Sequence, residues 1–248
     1  MKKYFKVLAV VLVIAMLAAF ASCGGASKGT LTMGTNAAFP PYEFVGEDGN
    51  ITGIDAEIAK AVCDKLGYEL EIKDMEFDSL ISAVAGGSVD FVLAGLTKNA
   101  EREEKVNFSS TYAKGVQVII VPEKSKIASI DDLEGKKIGV QSGTTGDIYC
   151  TDDFGQENVK QFNNGSLAVQ ALKNKQVDCV IIDNEPAKSF VAANEGLKIL
   201  DTEYVEEEYA AAFAKENTEL LENFNSALAE LQADGTVDAI IAKYISAE

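Results

Sequence analysis

A repeated pattern of elements constrains the fold of this chain more than any other feature of its sequence. In each copy a helix that begins with Ser-Leu is followed by a turn, by Val-Asp and by an apolar strand. The Val-Asp pair is Val89-Asp90 in the first copy and Val177-Asp178 in the second. Strands that alternate with helices form parallel sheets whose faces the helices cover. The repeat therefore predicts an α/β fold with two lobes of related construction rather than one continuous sheet.

The apolar periodicity gives each half a similar succession of elements. In the first half, the predicted elements are strands over 31–34, 68–72 and 89–94 and helices over 54–66 and 78–85. In the second half, they are strands over 136–140 and 177–182 and a helix over 166–174. Apolar stripes that start at Leu220 and Val237 predict two helices near the end of the chain.

Two further segments, 108–121 and 205–213, have the pattern of extended chain. Two crossings between lobes would form a hinge. We therefore expect a first lobe made of 30–113 and 209–248, and a second lobe made of 114–208.

The N-terminus has the composition of a secretory signal. Three lysines precede an apolar stretch over 7–21 that is short for a membrane-spanning helix and is followed by small residues. The next motif, Phe20-Ala21-Ser22-Cys23, is similar to the lipobox of bacterial lipoproteins, in which the cysteine is acylated. We predict a signal peptide over 1–22, lipidation of Cys23, and a polar tether over 23–29 on the outer face of the bacterial cell membrane. An uncleaved anchor and a plain secretory peptide are the alternatives.

The charge and the histidine content exclude several classes of function. The chain has 39 acidic and 22 basic side chains, a formal net charge of -17, which would repel nucleic-acid phosphates. It contains no histidine, which excludes histidine-dependent hydrolases and zinc sites built on histidine. We predict no nucleic-acid partner, no cofactor and no metal site.

Three cysteines remain after removal of the signal peptide: Cys63, Cys150 and Cys179. An odd number cannot be fully paired. Cys63 lies in an apolar helical pattern and is expected to be a small buried hydrophobe. Cys150 and Cys179 lie in the same half and could pair, a possibility that sequence alone leaves open.

Four segments are expected to meet where the strands end. Ligands of open parallel sheets bind in the crevice outside the carboxyl ends of the strands, where loops diverge and helix N-termini offer unpaired amides. The segments are 36–42, 94–97 and 141–146, together with Asp183, two from each lobe. They contribute aromatic, small and hydroxyl side chains and one anion, and Arg102 adds one cation. This combination fits a zwitterion.

Each of these residues also has a purely structural interpretation. Arg102 lies in a charged run typical of a solvent-exposed helix surface, and Asp183 is equally suited to cap the following segment. Phe39 and Tyr42 are common core residues. The turn over 143–146 lacks the lysine of a phosphate-binding loop. The conjunction of these residues favours a ligand site.

Motifs along the whole mature chain resemble those of the family 3 extracytoplasmic solute-binding proteins, which deliver polar amino acids to ABC importers. The motifs are GTNAAFPPYEF at 34–44, GIDAEIA at 53–59, FDSLI at 77–81, AGLT at 94–97 followed by Glu101-Arg102, GKKIGV at 135–140 with GTT at 143–145, and ADGT at 233–236. The resemblance implies the periplasmic-binding-protein type II fold and a binding protein rather than an enzyme. Its partner would be an ABC permease in the membrane, and we expect the receptor to be a monomer.

The resemblance also implies how a ligand would be held. Arg102 would bind the α-carboxylate with help from the Thr97 amide and from Thr144 or Thr145 of the other lobe.

Asp183 would bind the α-ammonium, assisted by the Gly95 carbonyl, while Phe39 stacks on the ligand side chain and Phe77 forms a second apolar wall. The full predicted ligand-binding set is Asn36, Phe39, Tyr42, Glu43, Phe77, Ala94, Gly95, Thr97, Arg102, Gln141, Thr144, Thr145 and Asp183.

The identity of the ligand is left between two chemical classes. Several binders of basic amino acids carry Asp where this chain has Asn36, which favours a ligand with a neutral polar side chain. Glu43 could restore a carboxylate, which keeps arginine and lysine open.

Two other classes of function remain as alternatives. A dehydratase-like enzyme that acts on prephenate or arogenate resembles this family, but its acid or base would have to be Asp183 or Glu43, which the binding hypothesis already uses. A sensor module of a signalling protein is the third class.

Overall fold

The computed structural model describes residues 27–201 and 204–245. The predicted signal peptide over 1–22 and the predicted lipidation site Cys23 lie outside the described residues. Within the described ranges, every helix is too short or too polar to cross a bilayer.

The first half of the chain contains the strands β1 (Thr30–Thr35), β2 (Ala38–Phe39), β3 (Glu43–Val45), β4 (Ile51–Thr52), β5 (Glu69–Asp74) and β6 (Phe91–Val92). Its helices are α1 (Ile54–Leu66), α2 (Leu80–Ala85) and α3 (Ala100–Lys105), with a 3-10 turn at Phe77–Ser79.

The second half contains the strands β7 (Val106–Pro122), β8 (Ile138–Gln141), β9 (Val159–Phe162), β10 (Cys179–Asp183), β11 (Leu197–Ile199) and β12 (Val205–Ala214). Its helices are α4 (Thr145–Phe154), α5 (Gly165–Lys173), α6 (Asn184–Ala192), α7 (Thr218–Ala233) and α8 (Thr236–Tyr244), with 3-10 turns at Ile130–Leu133 and Gln156–Asn158.

The two lobes have the same strand order. Three parallel strands form the core of each lobe, β5-β1-β6 in the first and β9-β8-β10 in the second. In both lobes the strand that comes first in the sequence lies in the middle. The predicted two-lobed α/β fold of related halves is confirmed.

Strands β7 and β12 connect the lobes and confirm the two predicted extended segments. They pair antiparallel with each other; β12 also pairs with β6 of the first lobe, and β7 with β10 of the second. The hydrogen-bonded path therefore runs β5-β1-β6-β12-β7-β10-β8-β9 through both lobes. The expectation of two separate sheets is wrong, because the crossing strands are long enough to pair with a strand of each lobe. The limits 30–113 with 209–248, and 114–208, stay a prediction.

Helix α1 shows how the local sequence sets an element. Ile54, Ile58 and Val62 recur every four residues, and all three are buried. The helix ends at Gly67, whose φ of 82° is left-handed backbone that suits glycine. Both features agree with the sequence prediction.

The three described cysteines are free and buried. Cys63 lies on the buried face of α1 and packs in the core, as expected. Cys150 and Cys179 belong to the core of the second lobe and keep their thiols, so the disulfide considered from the sequence is not formed.

Candidate ligand-binding site

A narrow cleft lies between the lobes, beside the carboxyl ends of their parallel strands. Its lining residues are Phe39, Phe77, Gly95, Thr97, Arg102, Gln141, Thr144, Thr145 and Asp183. All of them belong to the predicted ligand-binding set. The other predicted residues, Asn36, Tyr42, Glu43 and Ala94, lie behind this lining.

Arg102 reaches the cleft from α3, a helix whose first turn is capped by the Asn99 side chain. It is 6% exposed, which corrects its interpretation as a residue of a solvent-exposed surface. Its Nη1 donates to the Thr97 carbonyl at 2.7 Å and its Nη2 to the Gly143 carbonyl at 3.0 Å. The guanidinium also lies 5.5 Å from the centre of the Phe77 ring. Because guanidinium carries five N–H donors, it keeps donors for a ligand.

The N-terminus of α4 meets Arg102 from the second lobe. Thr144 caps this helix by accepting a hydrogen bond from the Asp147 amide. Gly143 has a φ of 74° and donates its amide to the Asp147 carboxylate. The positive end of the α4 dipole and the guanidinium therefore face the same space. A carboxylate is the ligand group that this arrangement would stabilise.

Asp183 ends β10 on the opposite lobe and is 6% exposed. Although it occupies the N-cap position of α6, its side chain makes no capping hydrogen bond in the described part of the chain, so the capping interpretation is wrong. It accepts a hydrogen bond from the Tyr209 hydroxyl. A Cβ at Gly115 would collide with that hydroxyl and lie 2.9 Å from Asp183 Oδ1, so glycine makes room for the contact.

Burial and the neighbouring Glu207 carboxyl raise the pKa of Asp183 to about 7. The pKa of Arg102 is lowered by burial, an effect that nearby anions oppose. Within residues 27–201 and 204–245, neither Arg102 nor Asp183 takes part in an ion pair. Both charges thus remain available to opposite ends of a small zwitterion.

Aromatic residues form the walls on the side of the first lobe. Phe39 stacks with Tyr42 at 5.9 Å between ring centres, and Tyr42 meets Tyr209 edge-on. Gly95 has a φ of 52°, and a Cβ there would lie 2.7 Å from the Phe39 ring. Glycine at this position therefore allows Phe39 to lie against the backbone of the cleft.

A hydrogen bond between side-chain amides crosses the cleft. Gln141 Nε2 donates to Asn36 Oδ1 at 2.9 Å, while Asn36 Nδ2 donates to the Met75 carbonyl at 2.8 Å. Asn36 thus positions Gln141, which is the residue of the two that lines the cleft.

Glu43 is fully buried beside Asp55, behind the cleft lining. Asp55 Oδ2 accepts hydrogen bonds from the Gly95 amide and from the Tyr112 hydroxyl, both at 2.7 Å. Burial and the Asp55 charge raise the pKa of Glu43 well above its ordinary value, and burial raises that of Asp55 to about 6. The expectation that Glu43 offers a carboxylate to the ligand is therefore corrected: it lies behind the lining, beside the Asp55 carboxylate that binds the Gly95 amide.

The sequence of the chain matches a known protein family. The family described as bacterial extracellular solute-binding proteins, family 3, matches residues 31–247. The chain belongs to this family.

Individual members of the solute-binding family cover nearly the whole chain. The arginine-binding extracellular protein ArtP of Bacillus subtilis (strain 168) is 35% identical over 246 residues, which are 93% of this chain and 94% of the relative. The solved structure of an ancestral arginine-binding protein bound to glutamine superposes with a TM-score of 0.84 at 42% identity, over 89% of this chain and 99% of its own. The substrate-binding protein of an amino acid ABC transporter has a TM-score of 0.83 at 38% identity, over 88% and 100%.

Three residues of the crossing strands also belong to the site, and the sequence analysis missed them. Gln117 on β7 and Glu207 and Tyr209 on β12 lie beneath Asp183. The available signal was the alternation of side chains along an extended segment, which places residues 207 and 209 on the same face. The run Glu206-Glu207-Glu208 hid it, because consecutive acids are typical of an exposed surface.

Proposed function

We propose that this solute-binding protein serves an ABC transporter by binding a polar L-amino acid between its lobes and delivering it to the membrane permease. The observation that carries the proposal is the placement of Arg102 and Asp183 on opposite lobes, both lining one cleft. A guanidinium beside a helix N-terminus suits an α-carboxylate, and a buried carboxylate suits an α-ammonium. The relatives named for arginine and for an amino acid transporter support the same class of ligand.

The rest of the cleft favours a neutral polar side chain on the ligand. Phe39 and Phe77 provide apolar walls, and Gln141 provides an amide that can accept or donate a hydrogen bond. Glu43, the candidate partner for a basic side chain, lies behind the lining. Glutamine is therefore our first candidate, in keeping with the ancestral relative bound to glutamine. Arginine is the second.

Ligand capture would proceed by closure of the hinge formed by β7 and β12. The lobes already meet directly at the rim, where the Ser142 hydroxyl donates to Asp78 at 3.1 Å and Asn163 Nδ2 to Glu76 at 3.2 Å. A ligand held by residues of both lobes contacts all of them only in the closed state. Its binding energy therefore shifts the population toward that state.

The protein would act outside the cytoplasm, held to the membrane by a lipid on Cys23 and working as a monomer. The description of the family as extracellular supports the location. Mass spectrometry of the purified membrane form tests the anchor: an acylated N-terminal Cys23 is expected, and an unmodified mature chain that begins elsewhere would contradict it.

The binding role also favours a protein without enzymatic activity. Asp183 is the carboxylic acid among the described lining residues, and in the complex it is ionised and occupied as the partner of the α-ammonium. The geometry thus supports binding over the dehydratase-like alternative. Recovery of the bound amino acid unchanged after hours of incubation is the expected result by mass spectrometry.

A thermal-shift screen of the common L-amino acids, followed by calorimetry, tests the proposed function. A ligand that binds the folded state raises the melting temperature. We expect glutamine or another polar amino acid to do so, and its D-enantiomer to have a much smaller effect. A screen in which none of the amino acids binds would overturn the proposal.

A further inference from the structure

A second carboxyl lies directly beneath Asp183. Glu207 is 4% exposed and lies within hydrogen-bonding reach of Asp183. Its Oε2 accepts hydrogen bonds from Thr97 Oγ1 at 3.0 Å and from Gln117 Nε2 at 2.9 Å. Its Oε1 is buried without a well-formed hydrogen bond among the described residues, and the Tyr149 hydroxyl lies near the carboxyl. We name Asp183 and Glu207 the open pair, since Asp183 lines the cleft.

The surroundings of the open pair leave one negative charge in excess. The groups that face it from neighbouring elements are the guanidinium of Arg102, the amide of Gln117, the carboxyl of Glu43 and the phenols of Tyr42, Tyr149 and Tyr209. The phenols and the amide are neutral, and Arg102 is the single cation of this described set. Two ionised carboxylates would therefore repel each other in a buried place, with one oxygen lacking a well-formed hydrogen bond.

One proton between the two carboxyls removes both costs. It lowers the negative charge of the open pair from two to one, and it gives the two carboxyls a hydrogen bond to each other. An ammonium group that enters the cleft beside Asp183 can replace this proton, because it too brings a positive charge and N–H donors to the same carboxylate.

We propose that the open pair holds one proton in the ligand-free protein and releases it to solvent when the α-ammonium group of the ligand binds at Asp183. This inference rests on the proposed function. Glu207 is a positioning residue in this scheme: it lies behind the cleft lining and acts on the ligand through Asp183.

The titration of the surrounding groups supports this assignment. The raised pKa of Asp183, about 7, places the proton on the open pair at and below neutral pH. The chain has no histidine, and the α-carboxyl and α-ammonium groups of an amino acid both stay charged between about pH 5.5 and 7. Proton release in this range would therefore report buried carboxyls, of which the open pair is the one that meets the ligand.

The affinity for the ligand should depend on pH. Below pH 7 the ligand must displace the proton, so its affinity falls as the pH falls; above pH 7 the open pair is already ionised and the affinity levels off. With a pKa near 7 in the free protein and a much lower one in the complex, affinity at pH 5.5 is about thirtyfold weaker than at pH 8.

Calorimetry of the whole mature protein tests this inference, with L-glutamine and L-arginine as the ligands used. Titrations at each pH in two buffers that both buffer at that pH, and whose ionisation enthalpies differ, count the protons released. We expect about one proton at pH 6.0 and close to none at pH 8.5.

Two variants separate the open pair from other acids. Glu207→Gln replaces the shared proton with an amide donor, so Asp183 stays ionised; release at pH 6.0 and the pH dependence of affinity should both be lost. Glu208→Gln removes the same charge from an exposed residue of the same strand and should behave as the wild type.

Wild-type protein that binds either amino acid without releasing a proton at pH 6.0 overturns this inference and leaves the proposed function intact. Equal proton release by the wild type and by a folded Glu207→Gln variant also overturns this inference and leaves the proposed function intact. If that variant does not fold, the wild-type proton counts at the two pH values decide alone. Absence of all amino-acid binding by the wild type would remove both the inference and the proposed function.

Discussion

The protein contains two buried carboxyl pairs with similar chemistry and different surroundings. The open pair, Asp183 with Glu207, lies where the crossing strands meet the second lobe, and Asp183 lines the cleft. The other, Glu43 with Asp55, lies in the first lobe behind the lining; we name it the sealed pair. Burial raises the pKa of an acid in both pairs. The comparison teaches that burial is enough to shift the pKa of a carboxyl. Only a carboxyl that also lines the cleft can bind a ligand.

The hydrogen-bond donors around each pair also differ. Asp55 receives a backbone amide and a phenol at 2.7 Å each, so its carboxylate is tied to the fold. Asp183 receives the Tyr209 phenol, has the Gln117 amide beside it, and lines the cleft. Changes to the sealed pair should therefore affect stability, and changes to the open pair should affect binding and its pH dependence.

The largest effect is expected from Asp55→Ala. The substitution leaves the Gly95 amide and the Tyr112 hydroxyl buried without their acceptor, which should lower the free energy of unfolding by about 3–5 kcal/mol. Urea denaturation measures this change. Asp64→Ala, an exposed site on the same helix α1, is the matched control. A loss below about 1 kcal/mol would show that the sealed pair does not support the fold.

The next effect concerns binding. Arg102→Ala and Asp183→Asn should each weaken ligand binding by more than about 2 kcal/mol, because a charge of the ligand loses its buried partner. Asp183→Asn should leave the free energy of unfolding unchanged or higher at neutral pH, since it removes a carboxylate that burial disfavours. Calorimetry and urea denaturation measure the two quantities, with Lys105→Ala on the exposed side of α3 as control. Unchanged affinity in both variants would refute the assignment of these residues.

A smaller effect separates the pairs by pH in the absence of ligand. An acid whose folded pKa lies above its unfolded value favours the folded state at low pH, and this stability is lost as the pH rises through the folded pKa. For Asp55 most of the loss lies below pH 6, whereas for Asp183 it continues through about pH 7. Through Asp183 alone, the free energy of unfolding of the wild type should therefore fall by about 1 kcal/mol between pH 6 and 7, in addition to the fall that the raised pKa of Glu43 causes. In urea denaturation, Glu207→Gln should keep the fall that Glu43 causes and lose the part that belongs to Asp183, so its fall should be smaller than that of the wild type by about 1 kcal/mol. An equal fall in both proteins would show that the open pair does not contribute.

The smallest effect is expected from Glu43→Gln. Burial and the Asp55 charge raise the pKa of Glu43, which favours the protonated acid. A protonated Glu43 can donate to Asp55, a role that a glutamine amide can take over. The shift in melting temperature should correspond to a change of less than about 1 kcal/mol in the free energy of unfolding. A large loss of stability would indicate that Glu43 is ionised in the folded protein.

Much of the fold could be predicted because its signals are local. Each signal involves only a few neighbouring residues. Examples are the apolar residue at every fourth position of α1, the glycine that ends this helix, and the extended patterns of β7 and β12. Helix α4 was missed for the opposite reason: its sequence, TGDIYCTDDF, has no apolar stripe, and the helix begins at the Thr144 cap. The strand β6 is shorter than predicted, since pairing with its neighbours extends over Phe91–Val92.

The candidate site was predictable to the extent that strand ends determine it. Loops after parallel strands meet at one edge, so Gln141 and Asp183 could be placed beside Gly95 and Arg102 from the sequence. How deeply each side chain is buried could not be predicted from the sequence. Glu43 was expected at the ligand and lies behind the lining, whereas Glu207 was passed over in an acidic run and lies beneath Asp183.

By itself, the sequence determined the two-lobed α/β architecture, the crossing strands and the residues that line the cleft, because periodicity, turns and strand order are properties of neighbouring residues along the chain. Tertiary structure alone decided which acids face one another and which of them meets the cleft. The physical reason is that the energy of a charged group depends on burial and on partners close in space, and Asp183 and Glu207, like Glu43 and Asp55, are brought together only when distant segments pack.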